Sequence, residues 1–156
     1  MLRTVFHYRD PHAPRPTTQT VGVTALIERD GKVLFERRRD TGQWGLPGGK
    51  VEIDESLEQA LRKEVREETG LEIASFALFG TFSDPSRIGH FVDGNVVRFI
   101  VLAYTVQIDD FSTLQCSEES LELGFFSRTE IADLDVVPTG RDILEAYLTR
   151  QAVVLD

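Results

Sequence analysis

The pattern of apolar and polar positions divides the chain into short strand-like runs and two helical stretches. Residues 20–27 are β-branched and small apolar residues, Arg29-Asp30-Gly31-Lys32 makes a turn, and Val33-Leu34-Phe35 opens a second run, which predicts a β-hairpin. Asp40-Thr41-Gly42 and Leu46-Pro47-Gly48-Gly49 are loop signals around Trp44. Residues 55–69 read as a helix that Gly70 ends, with Asp54 serving as its cap so that Ser56 is not needed. Residues 72–82 and 96–108 read as strands, separated by a loop over 83–94 rich in Asp, Pro, Ser and Gly. Residues 121–126 read as a last strand, and residues 142–148 have the spacing of an amphipathic C-terminal helix. Paired strands with one central and one terminal helix predict an α/β (α+β) domain, its helices packed on a mixed β-sheet. Three of the six prolines fall between Asp10 and Pro16, which predicts an extended arm over residues 1–16 leading into one domain over 17–156.

Composition narrows the function classes. A chain of 156 residues can bury about two thirds of its unfolded surface as one domain, without a disulfide or metal staple. No apolar run approaches the ~18 residues of a membrane helix, and the first ten residues carry no signal-peptide core, so a cytoplasmic location is expected. The single cysteine, Cys116, fits a reducing compartment and reads as a small, buried or half-buried hydrophobe. A net charge of -9 disfavours binding to long nucleic acids.

That charge is local. Between Glu52 and Glu72 lie eight carboxylates against three cations, a surplus of five of the nine negative charges. At about 100° per residue, Leu57, Ala60 and Leu61 form an apolar stripe on the helix. Glu64, Glu67 and Glu68 continue that stripe, whereas Glu58, Gln59, Arg62 and Arg66 fall opposite. Three inward carboxylates near a helix C-terminus repel one another and meet the unfavourable end of the dipole. The natural compensation is a hard divalent cation, Mg²⁺ or alternatively Mn²⁺, shared with substrate phosphate; no His or Cys accompanies the cluster to suit zinc.

The spacing around these glutamates is specific. Gly49 is followed after five residues by Glu55, and after seven more by Lys63-Glu64-Val65-Arg66-Glu67-Glu68-Thr69-Gly70-Leu71. This resembles the signature of the Nudix hydrolases, departing from it only at Lys63, where the family pattern has arginine. The resemblance implies a Nudix-like α/β/α sandwich and hydrolysis of a pyrophosphate bond in a nucleoside diphosphate linked to another moiety. ADP-ribose-like or nucleotide-sugar substrates lead, with nucleoside triphosphate (oxidised dNTP) hydrolysis or a non-catalytic nucleotide sensor as alternatives. Lys63 is the one support for the sensor.

The resemblance also implies roles. Glu64 and Glu68, with Glu67, are the expected metal ligands; the carbonyl of Gly48 or Gly49 adds a further one, and Glu52 acts through water. Lys63, with Glu55, orients and partly neutralises the cluster. Glu67 is a candidate base, as are Glu118, Glu119 and Glu122 ahead of the last strand, with Glu119 taken as the lead among these three. For the substrate, Arg38 and then Arg37 are phosphate-binding candidates, and Phe82 and Phe91 flank the long loop as stacking candidates. Pro85, fifteen residues after Gly70, matches a loose family rule for ADP-ribose-cleaving members. Family members are often dimers, so the resemblance allows a homodimer.

Overall fold

A computed structural model describes residues 3–149 and the backbone of Val154 and Leu155. Among the described residues ten strands form one mixed sheet. β1 (Val5–His7), β2 (Thr18–Arg29), β3 (Lys32–Arg38), β4 (Trp44–Gly45) and β5 (Gly48–Lys50) precede the helix α1 (Leu57–Thr69). β6 (Ser75–Phe82), β7 (Ile88–His90), β8 (Val96–Gln107) and β9 (Ser120–Phe126) follow, then α2 (Arg128–Asp133), a 3₁₀ turn at Pro138–Gly140, α3 (Arg141–Leu148) and β10 (Val154–Leu155). The hairpin turn between β2 and β3 places Asp30 and Gly31 at φ 52° and 76°, the left-handed region that lets two residues reverse the chain.

The centre of the sheet is a parallel pairing of β2 with β8 that runs from Thr18 opposite Val97 to Ile27 opposite Val106. Side chains alternate across β2, so Val23, Ala25 and Ile27 face α1 while Leu26 faces α3. Two apolar layers result. On one side Ala60, Leu61 and Val65 of α1 meet Leu34, Tyr104 and Val106; on the other Ile143 and Leu144 of α3 meet Phe35, Phe79 and Phe82. Burying each Leu or Val of this kind contributes ~1.5–3 kcal/mol. The predicted α/β/α sandwich with a mixed sheet is what the chain adopts.

Several local expectations are corrected. Ser56 caps α1, accepting from the Gln59 amide at 3.1 Å while Gln59 Oε1 accepts from the Ser56 amide at 2.8 Å, a reciprocal pair that Asp54 cannot make. Leu57 is exposed, not part of the buried stripe. Gly70 does end the helix, at φ 74°, and a Cβ there would also strike the Thr113 carbonyl at 2.3 Å. The stretches read as loops around Trp44, Gly48 and Ile88 contain β4, β5 and β7. Cys116 is exposed because it lies in the loop before β9 rather than under the sheet. Among the described residues no helix is long and apolar enough to cross a membrane.

Candidate active site

Gly48 sits where β5 crosses β2, and its amide donates to Glu68 Oε2 at 2.8 Å. Val65 and Thr69 of α1 are both buried beneath the sheet, so the helix presents Glu64 and Glu68 toward this strand. Gly49 is required beside them: a Cβ at that position would lie 2.4 Å from the Glu64 carboxyl carbon. The floor of a cleft of about 1200 Å³ is therefore glycine backbone and two inward carboxylates.

Both carboxylates resist ionisation. Burial pushes Glu64 up to about 7, helped by the charges of Glu67 and Glu55 and opposed by Lys63. Burial pushes Glu68 up to about 9, reinforced by the negative charge of Glu36 and opposed by the Gly48 amide bond. Lys63 Nζ lies 2.8 Å from Glu55 and 3.8 Å from Glu64, and these contacts hold its ammonium above its ordinary value. Glu55 in turn accepts from the Glu52 amide at 2.8 Å. Lys63 thus sits between Glu55 and Glu64 in two ion pairs, a point charge in place of a bidentate fork.

Not every sequence-predicted residue gathers at this point. Glu67 is exposed and does not line the cleft: one helical step of about 100° from Glu68 turns it to solvent, so two glutamates point inward instead of three. Glu52 is exposed as well. Arg38 and Arg39 line the cleft, but Arg37 points away to the Gly42 carbonyl at 3.0 Å and to Glu122 at 3.7 Å, as strand alternation requires. Glu118 and Glu119 line the cleft, and Glu119 lies near enough to raise the affinity of Glu36 and Glu64 for protons. Phe82 is 1% exposed and belongs to the core because its position on β6 faces inward toward Phe79. Pro85 is exposed on its loop and does not line the cleft.

The structure also brings in residues that sequence reading passed over. Glu36, 4% exposed, lines the cleft, accepts from Ser120 Oγ at 2.9 Å, and is raised in pKa chiefly by burial. Its signal was its two-residue spacing from Arg38, which puts both on one face of β3. Arg38 is fixed by two bonds to Asp40 at 2.9 and 2.8 Å; burial works against its charge, but Asp40, Glu36 and Glu68 hold it above the ordinary value. Arg87 is fully buried and paired with Asp142. Its Nη1 finds no acceptor among the described residues, and the rings of Tyr8 and Phe82 face the guanidinium instead, at 4.9 and 5.8 Å.

Among the described residues, no three His, Cys, Asp or Glu side chains converge into a ready-made metal-binding group. The donor chemistry nonetheless fits a hard divalent cation. Glu68, buried, and Glu64, half-buried, are oxygen donors whose ionisation is opposed by burial and like charge, and the bare Gly49 backbone lets the Glu64 carboxylate pack directly against the strand.

A NUDIX domain family model matches residues 16–147. CTP pyrophosphohydrolase of Escherichia coli (strain K12) is 34% identical over 138 residues, spanning 83% of this chain and 92% of that protein. ADP-ribose pyrophosphatase of Methanocaldococcus jannaschii is 31% identical over 117 residues, spanning 73% of this chain and 65% of that protein. The crystal structure of a nudix hydrolase family member from Chromobacterium violaceum superposes with a TM-score of 0.66 at 29% identity, covering 86% of this chain and 79% of that one. The glutamate-bearing helix and its glycine strand thus stand in a frame shared with these proteins, and the chain belongs to the Nudix family as a hydrolase acting on phosphoric anhydrides.

Proposed function

We propose that the protein hydrolyses the P–O–P linkage of a nucleotide with the help of Mg²⁺, or of Mn²⁺ in its place. The observation that carries this reading is the pair of inward carboxylates on α1, buried Glu68 and half-buried Glu64, set against the glycine strand β5 in a cleft that Arg38 and Arg39 also line. Glu64 and Glu68 would hold the ion, joined by a carbonyl of Gly48 or Gly49, by Glu67, and by Glu52 through water. When bound, such an ion neutralises phosphate charge and makes water more acidic. Lys63 and Glu55 fix Glu64; Arg38, locked by Asp40, meets a phosphate oxygen. Glu119 accepts the proton of the attacking water as one P–O bond forms and the anhydride P–O bond breaks. Glu119 is preferred to Glu118 as base because of its electrostatic proximity to both Glu36 and Glu64.

Nucleoside triphosphates now stand ahead of ADP-ribose-like substrates. The Pro85 rule that favoured the latter rests on a residue outside the cleft, and the relative matched over 92% of its own length is a CTP pyrophosphohydrolase. A panel of CTP, ATP, GTP and ADP-ribose with Mg²⁺ tests the order. Pyrophosphate release from a triphosphate supports it; preferential formation of AMP and ribose 5-phosphate from ADP-ribose reverses it. Binding without turnover of any nucleotide returns the sensor reading. Homodimerisation and a cytoplasmic location remain part of the proposal.

A further inference from the structure

Residues 3–10 lie outside the family match, yet they complete the cleft. β1 adds to the edge of the sheet by antiparallel pairing with β7, Val5 opposite His90, Phe6 opposite Gly89 and His7 opposite Ile88. The segment is then tied down on either side of this pairing. The Arg9 amide donates to Ser86 Oγ at 3.0 Å, Tyr8 covers the guanidinium of Arg87, and Thr4, itself buried, bonds to the Asp40 carboxylate that holds Arg38.

Phe6 lines the cleft. Its ring meets Phe91 at 6.0 Å and 88°, and Phe91 meets Phe99 at 6.1 Å and 71°, each an edge-to-face contact. Gly89 is the reason these rings can gather: a Cβ there would lie 2.7 Å from Phe99 and 3.0 Å from Phe91. All three rings line the cleft and remain partly exposed. Arg38 stacks on Phe6 at 4.9 Å, so the aromatic group adjoins the cation assigned to phosphate. An aromatic surface that is half-open beside a phosphate-binding cation matches the two chemical halves of a nucleotide, base and phosphate.

We propose that the N-terminal segment is a working wall of the substrate cleft, in which Phe6, with Phe91 and Phe99, packs against the nucleobase. The inference rests on the nucleotide reading above and assigns its specificity end. It also gives residues beyond the family domain a function: removing the ring at position 6 removes part of the base-binding surface while the carboxylate site stays intact.

The test uses the full chain with Phe6→Ala, Phe6→Leu and Phe6→Trp, each checked for an unchanged melting temperature. Phe6→Leu keeps apolar volume if the alanine variant fails to fold. Binding of CMP and AMP is measured beside ribose 5-phosphate, which lacks a base, and KM and kcat are measured for the best nucleotide. Base stacking is lost on truncation at about a tenfold cost in affinity. Phe6→Ala and Phe6→Leu are therefore expected to raise KM and weaken nucleoside monophosphate binding about tenfold, with ribose 5-phosphate changed less than twofold and kcat nearly kept. Phe6→Trp is expected to restore binding. Unchanged nucleotide affinity, an equal loss for ribose 5-phosphate, or no binding of any nucleoside monophosphate by the native protein overturns the proposal. Base-dependent binding without turnover would instead count against hydrolysis while leaving the wall in place.

Discussion

Gly49 and Glu64 approach so closely that the missing side chain of the one makes room for the carboxylate of the other. The neighbour at risk is the mobile end of a side chain, so Gly49→Ala is expected to fold with a melting temperature within a few degrees of native. It should displace Glu64 and lower kcat/KM by at least roughly tenfold, or ~1.4 kcal/mol of transition-state stabilisation. Gly48→Ala differs, because its Cβ would fall 2.1 Å from the Val23 carbonyl, which is backbone. That variant should lose stability first, by thermal denaturation.

Stability of the metal-free protein should fall as pH rises. Glu64 and Glu68 titrate near 4.5 in the unfolded chain but are raised to about 7 and about 9 in the folded one. The native state then binds more protons than the unfolded state between these limits, so its advantage is present below about 4.5 and is lost on rising through the folded values. Thermal melts in a chelator from pH 5 to 9 should slope downward, and Mg²⁺ should raise the melting temperature most at the alkaline end.

Glu68→Gln separates these effects. The amide keeps an acceptor for the Gly48 N–H and, unlike a carboxyl raised to about 9, needs no proton to be neutral in its buried place, so the metal-free variant should melt higher than native at pH 8. Turnover should drop by at least roughly a hundredfold, because a metal-binding carboxylate is gone. Loss of activity without the gain in melting temperature would deny that burial raises Glu68 in the folded protein.

Lys63→Ala should depress activity roughly fivefold at neutral pH and move the acid limb of the kcat/KM profile upward, because Glu64 loses the cation that holds its pKa down. Lys63→Arg should restore both. A flat profile in the alanine variant would remove Lys63 from the site.

Glu119→Gln is expected to lower kcat about a hundredfold, a typical contribution of a positioned base, whereas Glu118→Gln should stay within about twofold. Solvent-exchange of ¹⁸O-labelled water into the phosphate products of the two variants would report the residual chemistry directly. Reversed magnitudes would reassign the base.

What could be read from the sequence was whatever is fixed by neighbours along the chain. The helix over 57–69, its stop at Gly70 and the spacing of Glu64 and Glu68 follow from local periodicity and a left-handed glycine. Even the true cap was written there, since Ser56 stands three residues before Gln59. β4, β5 and β7 were not legible because two or three residues become a strand only when a distant partner supplies the hydrogen bonds: β3 for Trp44, β2 for Gly48, β8 for Ile88. Phe82 flanks a loop in sequence, but alternation on β6 sends it to the core. Glu36 was masked by the apolar run Val33-Leu34-Phe35, although its face follows from that of Arg38. The union of Phe6, Phe91 and Phe99 depends on an edge pairing with no sequence pattern at all.

The parallel pairing of β2 with β8 has a kinetic consequence. Thr18 and Val97 are opposite each other, so the intervening chain must close as one long loop before the central ladder can form. The glutamate helix lies inside that loop. Contacts this remote in sequence belong to the slower folding class, in milliseconds to seconds. The local helix can form early, but the cleft between Glu68 and Arg38 is completed only when the ladder closes. Refolding followed by helical signal should therefore run ahead of refolding followed by Mg²⁺-dependent protection, with the delay set by the closure of that loop.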